Sequence, residues 1–354
     1  MLKAIDNNDL VEINNIINKR EIDINQNYLF YAVQKRNIKI CSLLIRHGVD
    51  INFYNEDEYS TPLIEAVNRG FFDIFNLLID NGADINFATE SGITALVRAV
   101  ENHNLKISKL LIDCEADTNV IYYNNQNLLH AATGNGIEDE RIYKICKLLV
   151  KKGCDVNHKD SNFQTPIFNI IWKKYKSYPN DIPIKISKLF IKHGADINVF
   201  SNYSNDSPLR RALFYDNFDL SKLFIEHGAT INDNLFLLNP LRNGKYKICK
   251  LLLNPNYYLP NVKHKIVGVD INTFDYDLKK KSYQQIDKCL KKINYQKYCE
   301  IFMLLLDNGI NIDDKLVDFI KDELDDSMMD YLQFTINYRL NFARRKYLIN
   351  LIDN

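Results

Sequence analysis

Apolar residues along the chain recur in short blocks at three- and four-residue intervals, as in Ile38-Lys39-Ile40-Cys41-Ser42-Leu43-Leu44-Ile45. That spacing places them on one face of a helix. The block runs into a phrase that returns: Leu43-Leu44-Ile45-Arg46-His47-Gly48-Val49-Asp50-Ile51-Asn52 is echoed by Leu77-Leu78-Ile79-Asp80-Asn81-Gly82-Ala83-Asp84-Ile85-Asn86. Further copies end at Asp117-Thr118-Asn119, Asp155-Val156-Asn157, Asp196-Ile197-Asn198 and Thr230-Ile231-Asn232, with weaker ones around Asp270 and Asn311 and a truncated first one at Asp23-Ile24-Asn25. The nine Asp-slot positions (23, 50, 84, 117, 155, 196, 230, 270 and 311) are 27 to 41 residues apart. Nine copies at such a period predict a repeat architecture, in which no unit buries its own apolar face and stacking supplies the core.

A second phrase precedes several copies. Thr61-Pro62-Leu63-Ile64-Glu65-Ala66 is the clearest; Thr165-Pro166-Ile167, Ser207-Pro208-Leu209 and Thr94-Ala95-Leu96 are variants. A Thr or Ser hydroxyl caps exposed backbone N–H groups, and Pro suits the first helical position because no N–H is needed there. The following apolar run stops at Gly48, Gly82, Gly153, Gly194 or Gly228, where a glycine can take the left-handed conformation that closes a helix. Each unit therefore reads as helix, turn, second helix and an extended polar crossing.

These two phrases in fixed order make residues 1–313 similar to the ankyrin repeat family, with its period of about 33 residues and T-P-L-H-x-A signature. The resemblance implies an all-α repeat solenoid of about nine stacked antiparallel helix pairs, with β-hairpin fingers. It also implies protein binding through the fingers and first-helix faces. Departures are informative. The signature His survives only as His130; Ile64, Val97, Phe168 and Arg210 fill its slot elsewhere. Glu115 replaces a closing Gly, which should cost stability. The units near Tyr28–Asp50 and Leu235–Leu253 are short, and residues are inserted between helices at Gly134–Arg141, Lys173–Pro183 and Lys279–Lys292. Residues 314–354 lack the Gly-Ala-Asp phrase and read as a C-terminal helical cap over the last exposed core face.

Composition narrows the function. Lys plus Arg (45) equals Asp plus Glu (45), so long-range attraction to nucleic acid or an anionic membrane has no global support. No stretch approaches the ~20 apolar residues of a membrane span, and Met1-Leu2-Lys3-Ala4-Ile5-Asp6 turns polar too soon for a signal-peptide core. Seven Cys, with no C-x-x-C pair, read as reduced thiols in a cytoplasm. Abundant Asn, Ile, Lys and Tyr suggest an A/T-rich genome, that of a large DNA virus, an intracellular bacterium or an A/T-rich eukaryote; the expected location is a cytoplasm, the host's and with a host-directed role if the protein is viral or an effector.

Candidate chemistry is sparse. His47, His193 and His227 share one slot before the closing Gly, which suits a helix C-terminus; a metal site is not expected. Cys41, Cys146 and Cys249 alternate with Ser108, Ser187 and Ser221 in another slot, as small side chains for close packing. No Walker, G-x-G-x-x-G, H-E-x-x-H or G-x-S-x-G pattern occurs, so neither an enzyme nor a cofactor is expected. The stretch Lys279–Lys297, with Tyr283 and Tyr295, is the best nucleic-acid candidate, but Asp275, Asp277, Asp287 and Glu300 dilute it.

The fingers are the better candidate site. A glycine two residues before the Thr exists only as Gly92; Asn125 and Asn205 can replace it, whereas Tyr59 and Phe163 cannot do so cheaply. Large rings flank the fingers, and exposed aromatics anchor interfaces. The expected contact residues are Phe53, Tyr54, Tyr59, Phe87, Tyr122, Tyr123, Phe163, Phe200 and Tyr203, with Glu65, Arg69, Arg98 and Glu101 from the first helices. Packing between neighbouring fingers is the competing explanation for these rings. The expected protein is a monomeric, non-enzymatic scaffold with a protein partner. Alternatives are an adaptor recruiting a second complex, such as a ubiquitin ligase, through 314–354, and nucleic-acid binding through 279–297.

Overall fold

In the computed structural model, residues 1–19, 27–134, 139–171, 181–202 and 206–230 are described. The repeats beyond Thr230, the inserted stretch 279–297, the segment 314–354, Tyr203, Asn205 and Cys249 lie outside them. The chain divides into two compact units. The first comprises Met1–Ile170, Tyr178–Asp196 and Ser201–Tyr203; the second comprises Ile171–Ser177, Ile197–Phe200 and Ser204–Asn354.

Helices come in pairs. The first unit holds α1 (Leu2–Asp6) and α2 (Leu10–Asn18), α3 (Tyr28–Gln34) and α4 (Ile38–Arg46), and α5 (Pro62–Asn68) and α6 (Phe72–Asp80). It continues with α7 (Ala95–Glu101) and α8 (Leu105–Asp113), α9 (Leu128–Gly134) and α10 (Glu140–Lys151), and α11 (Pro166–Asn169) and α12 (Ile182–Lys192). The second unit holds α13 (Pro208–Phe214) and α14 (Phe218–Glu226). Within the first unit, α3, α5, α7, α9 and α11 pack on one another in chain order. Among the second helices, α4 packs on α6, and α10 on both α8 and α12. The resulting fold is a helical repeat array.

First helices are buried on nearly every side: Pro62 to Val67 of α5 are all buried, as are Leu96, Val97 and Val100 of α7. Second helices bury one face only. Ile40, Cys41 and Leu44 in α4 correspond to Ile107, Ser108 and Leu111 in α8 and to Ile145, Cys146 and Leu149 in α10. Each fully buried Leu or Ile contributes about 1.5–3 kcal/mol. The shared Cys/Ser slot is fully buried, so Cys41 is pushed up to about 12 by desolvation, far from a nucleophilic thiolate.

Caps follow the sequence with one exception. Hydroxyls of Thr61, Thr94 and Ser207 accept from the backbone N–H of Ile64, Val97 and Arg210. Thr165 does not: its hydroxyl is buried without a partner among the described residues, while the Phe168 N–H bonds to the Thr165 carbonyl (2.9 Å). That tight turn opens a helix of only four residues. Second helices have their own caps, in Asn37, Asn104 and Asn217. Closure at the other end is uniform. At Gly82 (φ +86°), Ala83 N–H reaches back to Leu78 O (3.0 Å); Glu115 holds the same conformation at φ +64°, with Ala116 N–H on Leu111 O (2.9 Å).

Candidate protein-binding surface

The crossings between helix pairs are ordered by an Asp–Asn relay. Asp84 Oδ1 accepts from the Asn86 N–H (2.9 Å), bending the chain, and Asn86 Oδ1 accepts from the Asp117 N–H of the next crossing (2.8 Å). Asn52 makes the same link to Asp84, and Asn157 to Asp196. In the second unit Asn198 accepts from the Thr230 N–H. Each finger is thereby registered to its neighbour through backbone donors.

Four finger tips are described in full. Asn55 and Ser60 exchange backbone bonds of 2.9 and 3.2 Å around the first tip. The Thr89 N–H bonds to Ile93 O (3.0 Å) around the second. In the third, β1 (Ile121–Tyr122) pairs antiparallel with β2 (Gln126–Asn127), in register Tyr122 to Gln126. The fourth closes through Asp160 N–H to Gln164 O (2.9 Å). Neighbouring tips are also tied: Asn125 Nδ2 donates to Lys159 O, and the Ser161 N–H to Asn124 O, both at 2.8 Å.

The residue two before the helix cap has positive φ at every tip: Tyr59 (49°), Gly92 (77°), Asn125 (56°, beside Asn124 at 57°) and Phe163 (59°). This is the slot expected to hold glycine. At Gly92 the requirement is doubled, because a Cβ there would lie 2.7 Å from Ile121 O and 2.9 Å from Tyr122 Cα. Both rings stay largely in solvent despite their strained backbone. Tyr59 is 68% exposed and Phe163 47%.

The other candidate rings divide. Tyr123 is 44% and Phe200, in the second unit, 36% exposed. Tyr54 and Phe87 are half-buried and stack on each other, with centroids 5.7 Å apart, and Phe53 is half-buried too. Tyr122 is buried and meets Tyr123 edge-on at 4.6 Å; desolvation raises its phenol pKa. Tyr122 is therefore packing inside its finger, where it presents no ring to a partner. Glu65 and Glu101 are likewise buried, each held by an arginine on its own helix or its C-terminal cap, Arg69 and Arg98. Tyr123 OH donates to Glu101 (3.0 Å). These carboxylates fix the first-helix face and do not project from it, leaving Arg69 and Arg98 as its accessible charges.

Sequence reasoning passed over several exposed apolar residues, Ile121 and Phe214 among them. Ile121 (43%) is the exposed residue of β1, and the exposed Tyr123 follows in the tip. Phe214 (65%) ends α13 in a slot that holds Asn68 in α5 and Glu101 in α7. An aromatic in an otherwise polar slot was the signal.

His130 does what its slot implies. Nδ1 is 2.8 Å from Asn127 Oδ1, and Nε2 is 3.0 Å from Gln164 O in the next finger; burial lowers its pKa. His193 and His227 bond through Nδ1 to carbonyls of their own helices, Leu189 and Leu223. Among the described residues no group of His, Cys, Asp or Glu is placed to hold a metal, and no helix is long and apolar enough to cross a membrane.

A family model described as ankyrin repeats (three copies) matches residues 1–89 and 63–160. The mouse B-cell lymphoma 3 protein homolog is 34% identical over 78 residues, 22% of this chain and 16% of that protein. A putative ankyrin repeat protein of Rickettsia felis is 28% identical over 138 residues, 38% of this chain and 44% of that one. The chain thus spans less than half the length of either relative. Matched phrases, paired helices, left-handed closures and the family model agree that residues 1–160 of this chain are ankyrin repeats.

Proposed function

We propose that the chain is a non-enzymatic scaffold that holds a partner protein against its finger tips, working in a cytoplasm where its buried thiols stay reduced. The observation that carries this reading is the pair Tyr59 and Phe163: large rings, exposed, at a backbone conformation that glycine would hold without strain. A left-handed non-glycine residue costs about 1–2 kcal/mol, which a glycine at either position would avoid. Strain of this kind concentrates at functional sites. Tyr is a favoured interface anchor, because it brings large contact area with few rotors. Tyr123 extends the surface, and Arg69 and Arg98 add charged contacts from the first helices.

The test is a double Tyr59→Gly, Phe163→Gly variant, compared with wild type for stability and for partners recovered from lysate. The expected variant melts higher and recovers less. Recovery equal to wild type from the stabilised variant would remove the finger tips from the function.

A further inference from the structure

The chain is neutral overall, yet its charge is segregated. Helices α8, α10 and α12 carry nine basic residues and two acidic ones. They also carry one tetrad at the same register: Lys106-Ile107-Ser108-Lys109, Lys144-Ile145-Cys146-Lys147 and Lys185-Ile186-Ser187-Lys188. The two inner residues of every tetrad are buried, which pins the register and turns the flanking lysines to the opposite face. Lys106, Lys109, Lys144, Lys147 and Lys188 are exposed and Lys185 is half-buried. Because α10 packs on both α8 and α12, the tetrads form a row from helix to helix, with a pitch of about 8–10 Å. The Lys185–Glu140 ion pair (3.4 Å) bridges two of these helices. Lys106 lies 3.4 Å above the Phe72 ring. Lys109, Lys144, Lys147 and Lys188 have no ion pair among the described residues. The same tetrad recurs in sequence as Lys247-Ile248-Cys249-Lys250, outside the described residues.

We propose that this lysine row binds the phosphate backbone of double-stranded nucleic acid, without regard to base sequence. A row of point charges matches a linear polyanion that carries one charge per ~1.7 Å of axis. Lysine lacks the planar fork that arginine uses to read base edges. No large apolar side chain on α8, α10 or α12 is exposed. The face therefore offers no ring for stacking single-stranded bases, no wedge for a bilayer and no anchor for a protein hot spot. This surface differs from the finger tips and does not depend on their role.

The experiment is fluorescence anisotropy with the full chain and a labelled duplex of roughly 24 base pairs, titrated across salt. Four phosphate contacts predict a slope of log K on log salt of about −4. Changing Lys109, Lys144, Lys147 and Lys188 to Gln should lower affinity tenfold or more at about 50 mM salt and flatten the slope by about 3 to 4. The same four changed to Arg should bind like wild type, and a Lys3, Lys19 and Lys39 to Gln control should be unchanged. Phosphatidylserine vesicles and polyglutamate are the competing probes. No duplex binding by wild type, a quadruple Gln variant equal to wild type, or tighter binding to either competitor would overturn the proposal.

Discussion

Glu115 offers a clean measure of what the repeat's closing glycine contributes. It occupies the slot of Gly48, Gly82, Gly153 and Gly194 and keeps their left-handed conformation (φ +64°). Its side chain is exposed and in no ion pair among the described residues, so little is lost by removing it. The left-handed conformation costs a non-glycine residue about 1–2 kcal/mol. Against this, glycine loses more backbone freedom on folding, by roughly 0.5–1 kcal/mol. Glu115→Gly should therefore stabilise the protein by about 0.5–1 kcal/mol. Urea unfolding followed by far-ultraviolet circular dichroism reads this as a higher midpoint at unchanged slope. The converse, Gly82→Glu, should lose a similar amount, because no atom lies within 4 Å of a Cβ there and backbone strain is the only penalty. A Glu115→Gly variant that is less stable than wild type would refute the reasoning, as would a neutral Gly82→Glu.

Two further outcomes follow from the same geometry. Gly92→Ala should cost about 2–4 kcal/mol, strain plus overpacking, since its Cβ meets main-chain atoms of the next finger; a thermal melt within experimental error of wild type would contradict it. Burial holds the folded-state pKa of His103 below its ordinary 6.5, so its contribution to stability is full above that value and lost as pH falls through the folded one. His103→Asn keeps a residue suited to the left-handed turn (φ +52°), and this variant should retain at pH about 5 more of its neutral-pH stability than wild type does.

Features fixed within one repeat were legible in the sequence. The Thr/Ser starts, the closing glycines, the small Cys/Ser slot and the strained tips at Tyr59 and Phe163 depend on a few adjacent residues, and the structure places them as expected except for the Thr165 cap. What was not legible depends on the neighbouring repeat. Whether a finger ring shows or packs is decided by the next finger: Tyr54 meets Phe87, and Tyr122 turns inward while Tyr123 turns out. Glu65 and Glu101 looked like surface charges because polar type, not arginine pairing, is what a sequence displays. The Asn caps of the second helices were visible but overshadowed by the Thr-Pro phrase, and the lysine row emerges only when three helices are set side by side.

The central claim, that the finger tips carry the function, is tested most directly by site-specific photocrosslinking in lysate. A photoreactive residue would be placed at position 59, at position 163, or at the exposed second-helix position of Lys39. The account predicts the same partner adducts from 59 and 163 and none of them from 39. Adducts from 39 alone, or none from either tip while the partner is still recovered, would contradict it.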